Sequence, residues 1–189
     1  NWLKGQRRLS VVDTGDWSVQ RVHEFEYGVR PFAISDDESL AYIQLSYQRG
    51  FVEFDLGSGE IVTEVDLPPS DAGRGMDPND YPMDSAHHGM AMSGDERHLC
   101  NAGTIDDYVA IVDRANFGHT IIPTGDVPYW ATTSPDGEHC LVSNSGDDEV
   151  AVFRYEPAAE VKRVSVGDYP QRIRNGRMRE EVIERLSSE

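Results

Sequence analysis

The sequence is short of cysteine, lysine and long apolar runs, and each shortage excludes a class of protein. Its two cysteines, Cys100 and Cys140, are too few for a disulfide-rich scaffold and lack the spacing of a metal site. No run approaches the ~18 apolar residues of a membrane span, and no signal-like segment opens the chain, so membrane insertion is not expected. Apart from Lys4 and Lys162 every basic residue is arginine, a bias expected of either a salt-adapted surface or a GC-rich genome.

Basic charge is also scarce. The sequence has 17 Lys and Arg residues and 34 Asp and Glu residues, which gives a formal net charge of −17. A surface this acidic repels phosphate backbones and anionic lipids, so neither nucleic acid nor membrane is an expected partner. The 189 residues, 38% of them hydrophobic, suffice to bury a core. Because the chain begins at Asn1 and not at Met, we expect a processed or truncated product.

Internal repetition is the main positive feature. Three segments consist of a short apolar run that ends at a serine and an acidic turn, with Ser35, Ser93 and Ser134 aligned. Three more β-like runs follow each of them, separated by Gly, Asp and Asn turns. Ser93 and Ser134 are 41 residues apart, and about 40 to 45 residues with four strands is the repeat length of a propeller blade. Ser35 and Ser93 are 58 apart, and the surplus lies in residues 68–86, rich in Pro, Gly and Asp, which we interpret as an inserted loop.

The repeats predict an all-β fold, a β-propeller of about 3.5 four-stranded blades that is the C-terminal half of a seven-bladed ring. The predicted blade parts are residues 1–28, 29–67, 87–125 and 128–167, followed by a blade opening at 168–176. Residues 177–189 are predicted to be a charged tail with apolar residues at helical spacing. So few blades leave open sheet faces, so the expected partner is the missing half of the propeller or a second copy of the chain.

The repeat strings resemble a known family. Residues 51–59, 128–137 and 164–170 look like the YVTN-type β-propeller repeat, found in secreted bacterial and archaeal proteins related in fold to amine-dehydrogenase heavy chains. The resemblance covers nearly the whole chain outside residues 68–86 and the tail. It implies a secreted protein, extracellular or periplasmic, in a family that includes surface proteins and lactonase-like enzymes.

The blade openings supply the candidate ligand-binding residues. Counting five residues back from the aligned serines gives Arg30, His88 and Tyr129, and the last, partial repeat adds Gln171. Since the first strand of a blade lines the central channel, these four side chains are expected near the funnel mouth. A cation, an imidazole, a phenol and an amide at one concave place are typical of a ligand site, although a channel mouth is polar even without a ligand.

Three functions remain open from the sequence. The leading one is a secreted binding or scaffold module whose small-molecule or protein ligand meets the funnel rim. The second is a lactonase-like or metal-assisted oxidase or hydrolase that uses His88 as a general base with groups from the missing half. The third is a purely structural surface protein. No cofactor is predicted beyond a metal ion, held by His87 or His88 together with Asp84 or with residues of the missing half. Neighbouring strand residues point to opposite faces, so both rings can seldom reach one ion.

Two further patterns leave alternatives. The pairs Asp106-Asp107 and Asp147-Asp148 are 41 residues apart and so occupy equivalent positions of the repeat. They are either paired carboxylates, for acid–base catalysis or calcium binding, or turn residues whose side chains accept nearby backbone N–H groups. Cys100 and Cys140 lie seven and six residues after their serines, which turns them toward each other across a blade interface. They form either a disulfide, as an oxidising compartment permits, or two buried free thiols.

The aromatic residue after Tyr129 has two interpretations as well. Trp130 is either a core residue or a side chain that stacks on a ligand. Strand alternation predicts that Tyr129 and Trp130 point to opposite sides.

Overall fold

The structure is a computed structural model that describes residues 6–176 and 178–188. Within these ranges the chain forms fourteen β-strands and one α-helix, with short 3₁₀ turns between some strands. The strands of the first half are β1 Arg8–Val12, β2 Val19–Glu24, β3 Val29–Ile34, β4 Leu40–Leu45, β5 Gly50–Asp55, β6 Glu60–Asp66 and β7 Met90–Met92. The remaining elements are β8 His98–Gly103, β9 Tyr108–Asp113, β10 His119–Pro123, β11 Pro128–Thr133, β12 His139–Asn144, β13 Glu149–Arg154, β14 Ala159–Ser165 and α1 Glu180–Ser187.

The strands form three complete antiparallel blades and one partial blade. We call β3–β6 the first blade, β7–β10 the second and β11–β14 the third, while β1 and β2 form the partial blade. In each complete blade the strands lie side by side in chain order. Because β7 contacts both β3 and β11, the first strands of neighbouring blades lie next to each other, as they do around a propeller channel. The predicted all-β partial propeller is therefore confirmed.

A repeated serine turn joins the first two strands of each complete blade. Ser35, Ser93 and Ser134 each donate a backbone N–H to the carbonyl oxygen five residues later, and each hydroxyl accepts the N–H of that same later residue. Each hydroxyl also donates to the aspartate two residues after the serine. This side-chain capping of a tight turn gives the sequence repeat its local structure.

The hydrophobic core lies between the blades. Tyr42 and Phe51 of the first blade pack with Leu99 and Val112 of the second. The second and third blades share another cluster that includes Val142 and Phe153 and both cysteines. The partial blade packs on the first blade through Phe25, which joins a cluster with Ile43 and Phe54. Sheet faces that bury apolar side chains against the next blade fix the angle between blades and so the position of the inner strands.

The segments outside the blades differ in how they pack. Residues 68–86 contain two 3₁₀ turns, Pro78–Asp80 and Pro82–Asp84, and bury Tyr81 and Ala86 against Ile105 of the second blade. The stretch after β14 lies along the third blade, where the carbonyl of Gln171 accepts the Ser143 hydroxyl. Helix α1 buries none of its residues, and no described helix is long and apolar enough to cross a membrane.

Candidate functional site

The starts of the three inner strands bring Arg30, His88 and Tyr129 together, and we call this group the inner rim. His88 stacks on the ring of Tyr129 with 4.3 Å between ring centroids and 18° between planes. The Nδ1 atom of His88 lies 3.2 Å from the carbonyl oxygen of Tyr129. A carbonyl oxygen only accepts, so Nδ1 carries the proton and Nε2 of the neutral ring is left as an acceptor.

Arg30 is the buried member of the inner rim. It is 9% exposed, its Nε donates to the Ser46 hydroxyl at 2.9 Å, and its Nη2 lies 3.9 Å from Oδ2 of Asp84. Burial lowers the pKa of Arg30, and the carboxylate of Asp84 opposes that effect. The inserted segment therefore contributes the counter-ion that helps to hold a buried guanidinium in place.

Burial and neighbouring cations set the charge of the two stacked rings. Burial lowers the pKa of His88 to about 4, and the positive charges of Arg30 and Arg172 act in the same direction. The pKa of the Tyr129 phenol is raised, mainly by burial. Both groups are therefore neutral at pH 7, and the rim presents an imidazole acceptor and a phenol beside fixed positive charge.

Gln171, the fourth predicted residue, does not add its amide to the stack. It is exposed, and its described hydrogen bond uses the main-chain carbonyl, which accepts from Ser143. Two neighbours that the sequence did not single out take its place. Arg172 and Arg174 lie over the ring of Trp130, with their Cζ atoms 5.1 Å and 4.7 Å from its centroid. The sequence does contain a signal for them, because the side chains of two arginines that are two residues apart point to the same side of an extended chain.

Trp130 lies closer to the inner rim than strand alternation predicts. His88 contacts Tyr129 and also Trp130, whose ring centroid is 5.9 Å away. The pairing of β11 with β12 shifts register between Pro128 and Trp130. Such a bulge re-aims side chains, which corrects the expectation that the two aromatic residues point away from each other.

A cavity of about 400 Å³ lies on Trp130 and Arg174, and none of Arg30, His88 and Tyr129 forms part of its walls. Its walls come from the three inner strands and the segment after β14. They include Phe32, Met90, Trp130, Thr132 and Arg174. The cavity thus combines apolar and aromatic surface with a guanidinium, and its volume falls in the range of small-molecule sites.

His87 belongs to a separate, fully buried network. Its Nδ1 accepts the Gly50 N–H at 3.0 Å, which places the proton on Nε2. Nε2 lies 3.2 Å from the Tyr108 oxygen and 3.4 Å from Oδ2 of Asp106. Burial lowers the pKa of His87, so the ring is neutral. Both nitrogens of His87 have hydrogen-bond partners in this structure, and a metal ion held by His87 or His88 stays a prediction from the sequence.

Another group in the described residues has the geometry to share a cation. Asp136, Glu138 and His139, in the turn between β11 and β12, have one ligand atom each within 4.8 Å of the others. The Asp136 carboxylate already accepts the Ser134 hydroxyl and the Glu138 N–H. These bonds assign Asp136 to the repeated serine turn.

The two aspartate pairs hold the connections between blades. Asp106 accepts the Ser70 N–H and Asp147 the Asp126 N–H, each from the connection that precedes its own blade. Asp107 accepts the Val127 N–H and Asp148 the Tyr169 N–H, each from the connection that follows. Each pair therefore binds backbone on both sides of its blade, the turn role that their repeat position indicates.

The cysteines join the second blade to the third. Cys100 on β8 and Cys140 on β12 form a disulfide with Cα atoms 6.4 Å apart, and both side chains are fully buried. The sequence allowed either a disulfide or two buried free thiols, and the structure contains the disulfide. The sulfurs meet across the blade interface because odd and even offsets from the aligned serines point to opposite faces of neighbouring blades.

No family model and no curated protein match the chain. Among the solved structures that share its fold are three with a TM-score of 0.63 each. Hydrazine synthase from Kuenenia stuttgartiensis is 20% identical, with 77% of this chain and 38% of that chain covered. Dihydro-heme d1 dehydrogenase NirN in complex with DHE is 18% identical, with 88% and 34% covered. Selenomethionine-substituted virginiamycin B lyase from Staphylococcus aureus is 12% identical, with 87% and 50% covered.

The chain spans between about a third and a half of the length of these structures. At such low identity they show the β-propeller fold alone. Membership of the YVTN-type family remains a prediction from the sequence.

Proposed function

We propose that this chain is part of a propeller-type binding module whose ligand occupies the inner rim of Arg30, His88 and Tyr129. The observation that carries the proposal is the stack of His88 from the second blade on Tyr129 from the third, with the buried guanidinium of Arg30 from the first blade beside it. Polar groups of different chemistry that converge beside an apolar cavity are the usual form of a small-molecule site.

A binding role has more support than a catalytic one. A lactonase-like or metal-assisted mechanism would use His88 as a general base, and a base is most effective when its pKa lies near the working pH. The pKa of His88 is lowered to about 4 by burial, so the ring is a weak base at neutral pH. Its Nε2 remains a good hydrogen-bond acceptor, as a ligand site requires.

Completion of the ring is the second part of the proposal. Among the described residues β1 pairs with β2 alone, and a groove of about 820 Å³ separates it from β3, lined in part by Leu9, Phe32 and Ile34. Two more strands beside β1 would complete the blade and cover this apolar surface. We propose that they come from the rest of a longer propeller or from a second copy, and light scattering on the purified chain distinguishes a monomer from a dimer.

Secretion to an extracellular or periplasmic compartment completes the proposal. Its support is the Cys100–Cys140 disulfide, since such cross-links persist in oxidising compartments. Thiol labelling without reductant tests this on protein that is taken from its native compartment and denatured, because both cysteines are buried in the folded chain. Two labelled cysteines would contradict it.

A thermal-shift screen with small carboxylates, phosphates, amines and sugars tests the ligand site. We expect at least one compound to raise the unfolding temperature, and His88→Ala and Tyr129→Ala to abolish that increase because they remove the stack. His119→Ala is the matched control, because His119 is an exposed histidine on β10, the outer strand of the second blade. A shift that survives both rim substitutions, or a screen without any binder, would contradict the proposal.

A further inference from the structure

Two arginines beside the inner rim lack acidic partners in a chain that is rich in acids. The sequence has 34 acidic and 17 basic residues, and guanidinium groups such as those of Arg8, Arg114 and Arg163 form ion pairs with carboxylates. Arg172 and Arg174 are exposed, yet neither has an ion pair within the part of the chain that the structure describes. Other described arginines, such as Arg185, also lack an ion pair, but Arg172 and Arg174 differ from them because both lie over one indole ring.

The contact of both arginines with Trp130 leaves their hydrogen-bonding edges available. The guanidinium carbons lie 5.1 Å and 4.7 Å from the indole centroid, within the range of a cation–π contact. Such a contact uses electrostatic attraction to the indole ring and consumes none of the five N–H donors of a guanidinium. Arg174 uses Nη1 to donate to the Ile173 carbonyl, so most of its donors remain for another acceptor.

The surroundings of these arginines also favour negative charge. The walls of the 400 Å³ cavity contain no aspartate or glutamate among the described residues, and Arg174 is their charged member. The charges that act most strongly on His88 are those of Arg30 and Arg172, both positive. A net charge of −17 therefore coexists with a local site of opposite sign.

Trp130 contributes its ring to the site. Its indole Nε1–H is buried and has no hydrogen-bond partner among the described residues, so this N–H is not exposed to the cavity. The part of Trp130 that a ligand can contact is therefore the aromatic surface that lines the cavity. The apolar residues Phe32 and Met90 in the same cavity provide a surface for a flat hydrophobic body.

We infer that the ligand of the proposed site is a small organic anion, with a carboxylate or phosphate group bound by Arg172 and Arg174 and a flat apolar body in the cavity beside Trp130. This inference rests on the binding function proposed above and names the chemical class of its ligand. The oxyanion accepts N–H groups from the guanidinium edges, a charge-assisted geometry that arginine favours.

Calorimetric titration with benzoate, phenyl phosphate and the uncharged benzamide tests the inference at low salt. We expect the two anions to bind and benzamide to bind at least about tenfold more weakly. Arg172→Gln and Arg174→Gln should each weaken the binding of the anions about tenfold, and Trp130→Leu should do so as well. Arg185→Gln is the matched control, because Arg185 is an exposed arginine of α1 without an ion pair in the described residues, and it should change nothing.

The outcomes separate this inference from the proposed function. Binding of benzoate alone would identify a carboxylate ligand, and binding of phenyl phosphate alone a phosphate ligand. Equal binding of benzamide, or anion binding that survives both arginine substitutions, would overturn the inference. Failure of both anions to bind would also overturn it, whereas an uncharged compound whose binding depends on His88 would leave the proposed function intact.

Discussion

Removal of the Cys100–Cys140 cross-link gives a sharp test of how the second and third blades are held together. The disulfide closes a loop of 40 residues in sequence between two strands that lie second in their blades. Both sulfurs are fully buried in the cluster between the blades. Reduction therefore breaks the S–S bond and leaves every heavy atom of the core in the protein.

The magnitude follows from loop closure in the unfolded chain. The closure entropy corresponds to about 3 kcal/mol for a loop of about 15 residues and about 4.7 kcal/mol for one of about 100. For the 40-residue loop the same relation gives about 4 kcal/mol. In a domain of this size that loss lowers the unfolding temperature by about 8 to 16 °C.

Thermal and urea unfolding of the oxidised and the fully reduced protein measure this difference directly. The variant Cys100→Ala/Cys140→Ala, measured with and without reductant, controls for effects of the reductant on the rest of the chain. We expect no effect of reductant on that variant, and a stability slightly below that of the reduced protein, because both buried sulfurs are gone.

A difference below about 1 kcal/mol between the oxidised and reduced proteins would refute the loop-closure reasoning. It would mean that the unfolded chain already keeps the two strands close together. It would also mean that the packing of Val142 and Phe153 against the second blade alone fixes the interface.

Three further predictions concern charged groups. The pKa of His88 is about 4 in the folded protein and 6.5 as an ordinary histidine, so the unfolded chain binds the proton first as the pH falls and the folded state loses stability. His88→Phe should therefore reduce the loss of unfolding free energy between pH 7 and pH 4 by up to about 3 kcal/mol, as measured by urea unfolding at the two pH values. Asp106→Ala should cost about 3 to 5 kcal/mol in urea unfolding, because it leaves Arg49 and His87 without their buried partner. Burial and neighbouring carboxylates raise the pKa of Asp107, so Asp107→Asn should raise the free energy of unfolding at pH 7 and low salt, as measured by urea unfolding. Asp148→Asn, in the equivalent position, serves as the comparison.

Each of these predictions has a contrary result. An unchanged pH profile of His88→Phe would mean that the ring is not kept neutral by its surroundings. A cost below about 1 kcal/mol for Asp106→Ala would show that the pair with Arg49 contributes little. A loss of stability in Asp107→Asn would show that the negative charge of Asp107 strengthens its bond to the Val127 N–H by more than the nearby carboxylates oppose it.

The blades could be predicted because their signals are local and repeated. The serine turns at Ser35, Ser93 and Ser134 make the same hydrogen bonds in each blade, and their spacing is the blade repeat once the inserted residues 68–86 are set aside. Alignment on them also placed Arg30 and His88 at equivalent positions of neighbouring inner strands. Equivalent positions of adjacent blades lie close together around a channel, so proximity follows from the repeat.

The rest of the candidate site depends on features that break the repeat. The bulge between Pro128 and Trp130 turns Trp130 toward His88, and a bulge leaves no periodic trace in the sequence. The buried network of His87 draws Gly50 and Asp106 from two different blades. Neither partner is near His87 in sequence, so no local pattern could identify them.

The anchoring of residues 68–86 has a consequence for how this fold can change over evolution. Arg49 of the first blade donates to the Gly73 carbonyl at 2.6 Å, and Asp106 of the second accepts the Ser70 N–H at 2.8 Å. Both anchors lie near the start of the segment, and residues 74–80 beyond them are exposed. This stretch can therefore gain or lose residues while the blades keep their positions, which makes it the natural place for related chains to acquire new surface loops.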